Sequence, residues 1–407
     1  MTRTLYLSYD GILEPLGESQ VVAYLAHLSR QVSVTLISFE KTQDLTEVRL
    51  LEKMRSRLGE LGVEWIPLRY HKRPLAVSTA YDVLRGLTVG IALTRIRRIQ
   101  LVHARGYVAA LIALALKRLF GVRFLFDMRG FWADEKAEAG HWSTKSMIYR
   151  IVKFFERRFF ESADAIVSLT EVGVTKFSSL GYRIRPGVPI EVIPTCTDLE
   201  RFSPGLKDPN LVAQLKLEDR LVIGCTGTMS NWYLRQPMLD CLAYLRSHLD
   251  NVKILVVTRE DHEQLRSDAR AAGLQDDQLI ITRAAFSAMP AYLRLMDLGL
   301  FFINPCFSKK GSSATKLGEF LATGVPVVIN EGVGDSGWIV REHGVGVVLE
   351  GTGTADFESS LKEIKRILSD PFVPHRCRET AQMYFDLRVG AEKYARLYTK
   401  LSGLRVP

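Results

Sequence analysis

The residue types best suited to chemistry cluster in one stretch, Phe307-Ser-Lys-Lys-Gly-Ser-Ser-Ala-Thr-Lys-Leu-Gly-Glu-Phe-Leu-Ala-Thr-Gly-Val-Pro-Val-Val-Ile329. It opens as a polar loop carrying Lys309, Lys310 and Gly311. Ser312, Ser313 and Thr315 then offer N-caps for a helix with Leu317, Phe320 and Leu321 at helical spacing. Gly324 can end that helix, and Val325 to Ile329 reads as a buried strand. A loop feeding a helix N-terminus, with Lys309, Lys310 and Lys316 beside it, suits a phosphate. Free backbone N–H groups and the positive end of the helix dipole would face the anion. One acid, Glu319, lies on the first turns of the same helix. The same pattern also fits an ordinary loop–helix–strand unit with solvated lysines.

The elements that must position this stretch alternate regularly. Strands are expected at Thr4–Tyr9, Val32–Phe39, Val63–Leu68, Gln100–His103, Val122–Asp127 and Asp164–Thr170, with helices between them. Pro186, Gly187 and Pro189 mark a hinge, with Ile190–Pro194 as a short strand after it. The rhythm then restarts at Leu221–Thr226, Val252–Thr258, Leu279–Thr282 and Leu298–Ile303. This predicts an α/β chain of two Rossmann-like domains with an interdomain cleft. The expected division is an N-terminal domain over 1–188, a C-terminal domain over 189–383 and a final helix over 384–407. Ligands of open α/β sheets bind beyond the carboxyl ends of strands. The residues just after each strand are therefore the candidates: Gly11–Gly17, His103–Arg105, Asp127–Arg129, Thr170, Gly227–Tyr233 and Lys309–Glu319.

Composition narrows the function classes. The chain has 407 residues, 47% hydrophobic and 24% charged, with a net charge of +9. That is globular composition for two to three domains. No signal-peptide pattern and no apolar run long enough for a membrane span is visible. Five scattered cysteines without a CxxC pattern indicate neither a disulfide framework nor a zinc site, and a reducing cytoplasm is the expected location. The positive charge is lopsided. Residues 1–198 hold 28 Lys/Arg against 20 Asp/Glu, and the remainder 26 against 25. A basic half can meet nucleic acid, anionic lipid or a phosphorylated ligand. No nucleic-acid motif accompanies it. The segment Lys145–Phe160 is basic and amphipathic and could lie on an anionic membrane surface, or could be a core helix with a solvated basic edge. A nicotinamide dehydrogenase is disfavoured because neither half has GxGxxG after its first strand.

Five segments together resemble the retaining glycosyltransferases of the GT-B fold, specifically family 4. They are Asp10-Gly-Ile-Leu-Glu-Pro-Leu-Gly-Glu-Ser-Gln20, Phe126-Asp-Met-Arg-Gly-Phe-Trp-Ala-Asp-Glu135, Val192-Ile-Pro-Thr-Cys-Thr-Asp-Leu-Glu-Arg-Phe202, Lys316-Leu-Gly-Glu319 with the following Gly-Val-Pro-Val-Val328, and the closing Phe385 to Tyr398. The resemblance spans essentially the whole chain. It implies transfer of a sugar from a nucleotide-sugar donor, UDP- or GDP-linked, to a saccharide or lipid-linked saccharide, with retained anomeric configuration and neither metal nor cofactor. It also implies that the closing helix crosses back onto the first domain. Glu319 matches the second acid of the family's Glu-x7-Glu motif and would hold the ribose hydroxyls.

The departures from the family pattern are informative. The first acid of Glu-x7-Glu falls at Gly311 and is missing. The family's Gly-Arg-x4-Lys-Gly phosphate motif is replaced by Gly227-Thr-Met-Ser-Asn-Trp-Tyr233, with Thr228 and Tyr233 where Arg and Lys would stand. Lys309, Lys310 and Lys316 are the candidates to replace that charge, and Arg235 a weaker one. Donor contacts are thus expected from Gly17, Gly227, Thr228, Lys309, Gly311, Ser312, Ser313, Thr315, Lys316 and Glu319. Asp127, Arg129 and Lys310 are the catalytic candidates, with an internal Asp127–Arg129 pair as the structural alternative. Glu18, His103, Arg105 and Trp132 are the acceptor-side candidates, His103 also fitting a core-edge role. The alternatives are a nucleotide-sugar epimerase or hydrolase of the same fold, or a non-catalytic binding subunit. A cytoplasmic protein, peripheral on the inner face of the cell membrane, is the expected setting.

Overall fold

The computed structural model describes residues 1–71, 73 and 75–403. In chain order the first half supplies β1 (Arg3–Ser8), α1 (Pro15–Gly17), α2 (Ala23–Leu28), β2 (Ser33–Glu40), α3 (Thr42–Thr46), α4 (Val48–Glu60), β3 (Glu64–Arg69), α5 (Leu75–Arg97), β4 (Leu101–Arg105), α6 (Tyr107–Phe120), β5 (Arg123–Asp127), α7 (Trp132–Glu138), α8 (Met147–Ser162), β6 (Ala165–Ser168), α9 (Glu171–Ser179) and β7 (Ile190–Val192). The second half supplies α10 (Pro209–Leu215), β8 (Leu221–Thr226), α11 (Arg235–His248), β9 (Val252–Val257), α12 (His262–Ala271), β10 (Leu279–Thr282), α13 (Met289–Arg294), β11 (Leu298–Phe301), α14 (Thr315–Ala322), β12 (Val327–Asn330), α15 (Ser336–His343), β13 (Gly346–Leu349), α16 (Thr354–Ser369), α17 (Val373–Tyr384) and α18 (Leu387–Ser402).

These elements form two units, one of Met1–Pro194 with the chain from Leu387 onward, the other of Thr195–Asp386. The first holds a seven-stranded sheet in the order β3-β2-β1-β4-β5-β6-β7, every neighbouring pair parallel. The second holds a parallel six-stranded sheet, β10-β9-β8-β11-β12-β13. The strand order reverses between β1 and β4, and between β8 and β11. The inner strands are buried on both faces, as helix-covered parallel strands must be: all five residues of β4 and all four of β6, β11 and β12 are buried. The helices begin and end where local chemistry directs. The Ser146 hydroxyl accepts from the Tyr149 N–H at α8, Thr170 accepts from Gly173 at α9, and Gly121 closes α6 in a left-handed turn.

Both unit boundaries differ from the expected ones. Ile190 pairs with Ile166 and Val192 with Ser168, so the strand placed after the hinge belongs to the first sheet, and the first unit runs to Pro194 rather than 188. At the far end Thr197 donates its N–H to the Phe385 carbonyl at 2.7 Å and bridges Asp386, which keeps residues up to 386 in the second unit.

The last helix, α18, belongs to the first unit and packs on α2 and β4. Three side chains fasten it. Tyr398 Oη lies 2.6 Å from His103 Nδ1, Tyr394 donates to Asp127 Oδ2 at 2.9 Å, and Lys393 donates to the Val192 carbonyl at 2.9 Å.

Candidate active site

On the second unit the stretch from Phe307 folds as a 3-10 turn, Phe307–Gly311, followed by α14. The expected side-chain caps are not formed. The residue before α14 is Ala314, which has no capping group. Ser313 is engaged elsewhere: its hydroxyl accepts from the Thr195 N–H at 3.2 Å and its carbonyl from the Thr195 hydroxyl at 3.0 Å. Thr315 is already the first helical residue, and Ser312 donates its N–H to the Lys309 carbonyl at 3.1 Å. A helix start without a side-chain acceptor is better suited to an external anion than a capped one.

Two lysines of this stretch are brought to the loop that follows β8. Lys316 is buried and donates to the Thr228 carbonyl at 2.7 Å. Its Nζ stands 3.4 Å from the centre of the Tyr233 ring, and Lys309 Nζ stands 3.7 Å from that of Trp232. Both are cation–π distances. Gly227 permits the approach: its φ is +71°, and a Cβ there would come 3.3 Å from Lys316 Cε. The aromatic residues that replaced the expected phosphate motif thus gather lysines from another segment. Burial pushes the Lys316 amine down to about 7. One turn on, burial pushes the Glu319 carboxyl up to about 7, against the opposing pull of Lys316 and Arg201. The Tyr233 hydroxyl is pushed up to about 12 by burial and by Glu319. Lys310 is half-buried and Gly311 buried.

Arg235, the weaker cationic candidate, has both terminal nitrogens engaged in a cluster of its own. It donates to Glu260 at 2.6 Å and to Asp268 at 2.8 Å. Glu260 also receives the hydroxyls of Thr228 and Ser230 and the N–H groups of Met229 and Ser230. Burial opposes its charge, but those hydrogen bonds and Arg235 outweigh burial and hold the carboxyl at about 2. Glu260 is the organiser of the loop, and it escaped the sequence reading although it lies just beyond β9.

On the first unit, Asp127 ends β5 and His103 lies within β4, both 1% exposed. His103 Nε2 is 3.4 Å from Asp127 Oδ2, the oxygen that also accepts from Tyr394. Arg129 approaches the other oxygen at 3.9 Å, from a left-handed backbone turn with φ +56° at Arg129 and +110° at Gly130. Burial alone would raise the Asp127 carboxyl; Arg129, His103 and Arg105 outweigh it and hold it below the ordinary value. Burial lowers the His103 imidazole, with Asp127 opposing. Asp127, Arg129 and His103 are therefore one buried network, closed by tyrosines of α18.

The other first-unit candidates have partners of their own. Arg105, at the end of β4, donates to Asp10 at 2.6 Å, and the Asp10 carboxylate is largely exposed. Glu18 accepts from Arg57 at 2.6 Å. Trp132 starts α7, edge-on to Trp142 with ring centres 5.2 Å apart. The close approach permitted by Gly17 is to its own loop, since a Cβ there would lie 2.1 Å from the Gly11 carbonyl oxygen and 2.6 Å from Ile12 Cα. Glu40, at the end of β2, braces that loop by accepting the Ile12 and Leu13 N–H groups at 2.9 and 3.2 Å. A buried acid at a strand end is the sequence signal that could have identified it. Among the described residues no group of three or more His, Cys, Asp or Glu side chains is arranged to hold a metal ion.

Comparison with known proteins agrees with this architecture. Residues 18–196 match the family model described as a glycosyl transferase 4-like domain. No curated protein matches the chain. Among solved structures, sucrose-phosphate synthase of Thermosynechococcus elongatus superposes with a TM-score of 0.72 at 15% identity, covering 99% of this chain and 100% of that one. HepE of Anabaena, solved in complex with UDP-glucose, gives 0.69 at 14% identity, covering 98% and 100%. A Listeria monocytogenes protein described as a UDP-N-acetylglucosamine 2-epimerase gives 0.63 at 13%, covering 100% and 98%. The shared fold is GT-B.

Proposed function

We propose that this GT-B chain, with its glycosyl transferase 4-like domain at residues 18–196, is a retaining, metal-independent glycosyltransferase. Its donor is a UDP-sugar bound on the second unit, and its acceptor is a saccharide or lipid-linked saccharide bound on the first. The observation that carries the reading is Lys316. Its amine reaches the Thr228 carbonyl beside Gly227, and Glu319 follows one helical turn later. The diphosphate lies at the start of α14, against Lys316, Lys309 and Lys310. Glu319 accepts hydrogen bonds from the ribose hydroxyls. HepE, of the same fold, is solved with UDP-glucose, which makes UDP-glucose the first donor to test.

In this mechanism the acceptor hydroxyl attacks the anomeric carbon on the face from which the diphosphate leaves. The new C–O bond forms as the bond to the phosphate oxygen breaks, and the hydroxyl proton passes to the departing diphosphate. The lysines stabilise the charge that develops there. Asp127 holds Arg129 in its turn at the end of β5, where Arg129 orients the acceptor. His103 acts through Asp127 as a positioning residue.

The test is calorimetric titration of the full chain with UDP-glucose, UDP and GDP-sugars, followed by product analysis with donor alone. Binding of a nucleotide-sugar that stays intact until an acceptor is supplied supports a transferase. Conversion of the donor without acceptor would instead assign an epimerase or hydrolase. Absence of binding at roughly millimolar ligand would leave a binding subunit.

A further inference from the structure

The amphipathic segment of the first unit has no part in the proposed chemistry, yet α8 is not an ordinary surface helix. Its inner face buries Glu156, Phe159 and Phe160. Its outer face exposes Met147 (67%), Ile151 (48%) and Phe154 (52%). Their i, i+4, i+7 spacing makes one stripe, and three large apolar side chains in a row form a patch rather than scattered exposure. The exposed positions between and after them are arginines: Arg150, Arg157 and Arg158. Arg158 pairs with Glu161 at 3.0 Å while its guanidinium lies 5.2 Å from the Phe154 ring centre. Among the described residues, no carboxylate lies within ion-pair distance of Arg150 or Arg157. The single acid between residues 145 and 158 is Glu156, which is buried and bonded to Tyr107 at 2.6 Å. The outward face is therefore apolar and cationic together.

The same layer of helices carries a second exposed apolar stripe. The strand order places α5, α6 and α8 on one face of the first sheet, given right-handed crossovers, and α6 packs against both of the others. The outer side of α5 exposes Val77, Tyr81 and Leu84 at the same helical spacing.

We infer that the outer face of α8 docks the chain on an anionic phospholipid bilayer. Met147, Ile151 and Phe154 enter the boundary between headgroups and acyl chains, and Arg150 and Arg157 meet lipid phosphates. Charge decides between occupants. A second copy would bring two arginine-bearing faces together, whereas an anionic leaflet neutralises them. No helix among the described residues is long and apolar enough to cross a membrane, so the binding is interfacial.

The test is co-sedimentation of the full chain with vesicles of phosphatidylcholine alone and of phosphatidylcholine mixed with phosphatidylglycerol. The wild type is expected to bind the mixed vesicles, less so as salt rises. Ile151→Glu with Phe154→Glu should lower that binding at least tenfold, and Arg150→Gln with Arg157→Gln should abolish the preference for anionic vesicles. All four positions are exposed, so unchanged thermal midpoints are expected. Failure of the wild type to bind, or binding by both variants equal to wild type, overturns the proposal. So does a dimer in sedimentation velocity that the Glu variant dissolves. UDP-glucose binding, measured on the same preparations, should be the same in all three proteins. Its loss throughout would count against the donor reading and leave the lipid result standing.

Discussion

Lys316 donates to the Thr228 carbonyl at 2.7 Å, joining the start of α14 to the loop after β8. In the donor site proposed above, this contact brings in a cation that the loop itself does not supply. The loop lacks the basic residues that the resemblance called for, and its aromatic residues draw in lysines supplied 80 or so residues later. The amine is buried against Tyr233 and carries its charge at a cost. An incoming diphosphate would relieve that cost.

Lys316→Met is accordingly expected to weaken UDP-glucose binding by roughly tenfold or more, about 1.4 kcal/mol, with little change in the thermal midpoint. Titration calorimetry measures the first and a thermal melt the second. Equal affinity in the variant would remove Lys316 from the site.

Arg235 provides the contrast. Two of its guanidinium nitrogens are taken by Glu260 and Asp268, so a structural task is the expectation. Arg235→Met should cost roughly 1.5–3 kcal/mol of stability through lost charged hydrogen bonds, while donor affinity at a temperature where the variant is folded changes less than about twofold. A large affinity loss in folded Arg235→Met protein would return this arginine to the donor site.

Burial brings Glu319 up and Lys316 down to about 7, and in the proposed donor site their ionisations would act oppositely on binding. Raising the pH ionises Glu319, which favours the ribose contact, and discharges Lys316, which weakens the hold on phosphate. The wild type should therefore bind UDP best near neutral pH. In Glu319→Gln only the lysine limb remains. Affinity should be lower overall, by about tenfold, and should fall as pH rises, with the fall displaced to lower pH than in the wild type because the Glu319 charge no longer supports the Lys316 amine. A variant whose affinity instead rises with pH would contradict the assignment.

His103 has a folded-state imidazole lowered by burial. Its neutral form is favoured by folding, and the unfolded chain takes up a proton first as pH falls below about 6.5. The contribution is thus complete above that pH and is lost as pH drops. His103→Gln should flatten the fall of thermal midpoint between pH 7 and pH 5 relative to wild type. The same slope in both proteins would place the acid sensitivity elsewhere.

Gly17→Ala should be destabilising by about 1–3 kcal/mol, since the added Cβ would lie 2.1 Å from the Gly11 carbonyl oxygen, a backbone atom. Urea titration measures it. Gly59→Ala, where a Cβ meets nothing within 4 Å, is the control.

By itself the sequence determined the alternation that makes two parallel sheets and every strand of the described residues except Gly346–Leu349, the edge strand beside β12. Continuous apolar runs such as Leu221–Thr226 and Leu279–Thr282 are read locally and were found with the same bounds. The placing of Glu319 and Lys316 on a helix that follows a basic loop was also legible, because a helix start after such a loop is a local pattern. Three things were decided only in three dimensions. The short strand Ile190–Val192 had no local feature to say which sheet it would join, and pairing with β6 assigned it to the first. The N-cap expected from Ser313 gave way because Thr195, more than 100 residues away, offered Ser313 two hydrogen bonds, and Thr315 became the first residue of the helix itself. The partners of the charged groups were settled the same way. Which cation meets the glycine loop, and which is absorbed by Glu260, depends on distances between side chains far apart in the chain. Charge and residue type are written in the sequence, whereas burial and the pairings that shift Lys316, Glu319 and Asp127 arise only when the strands and helices pack.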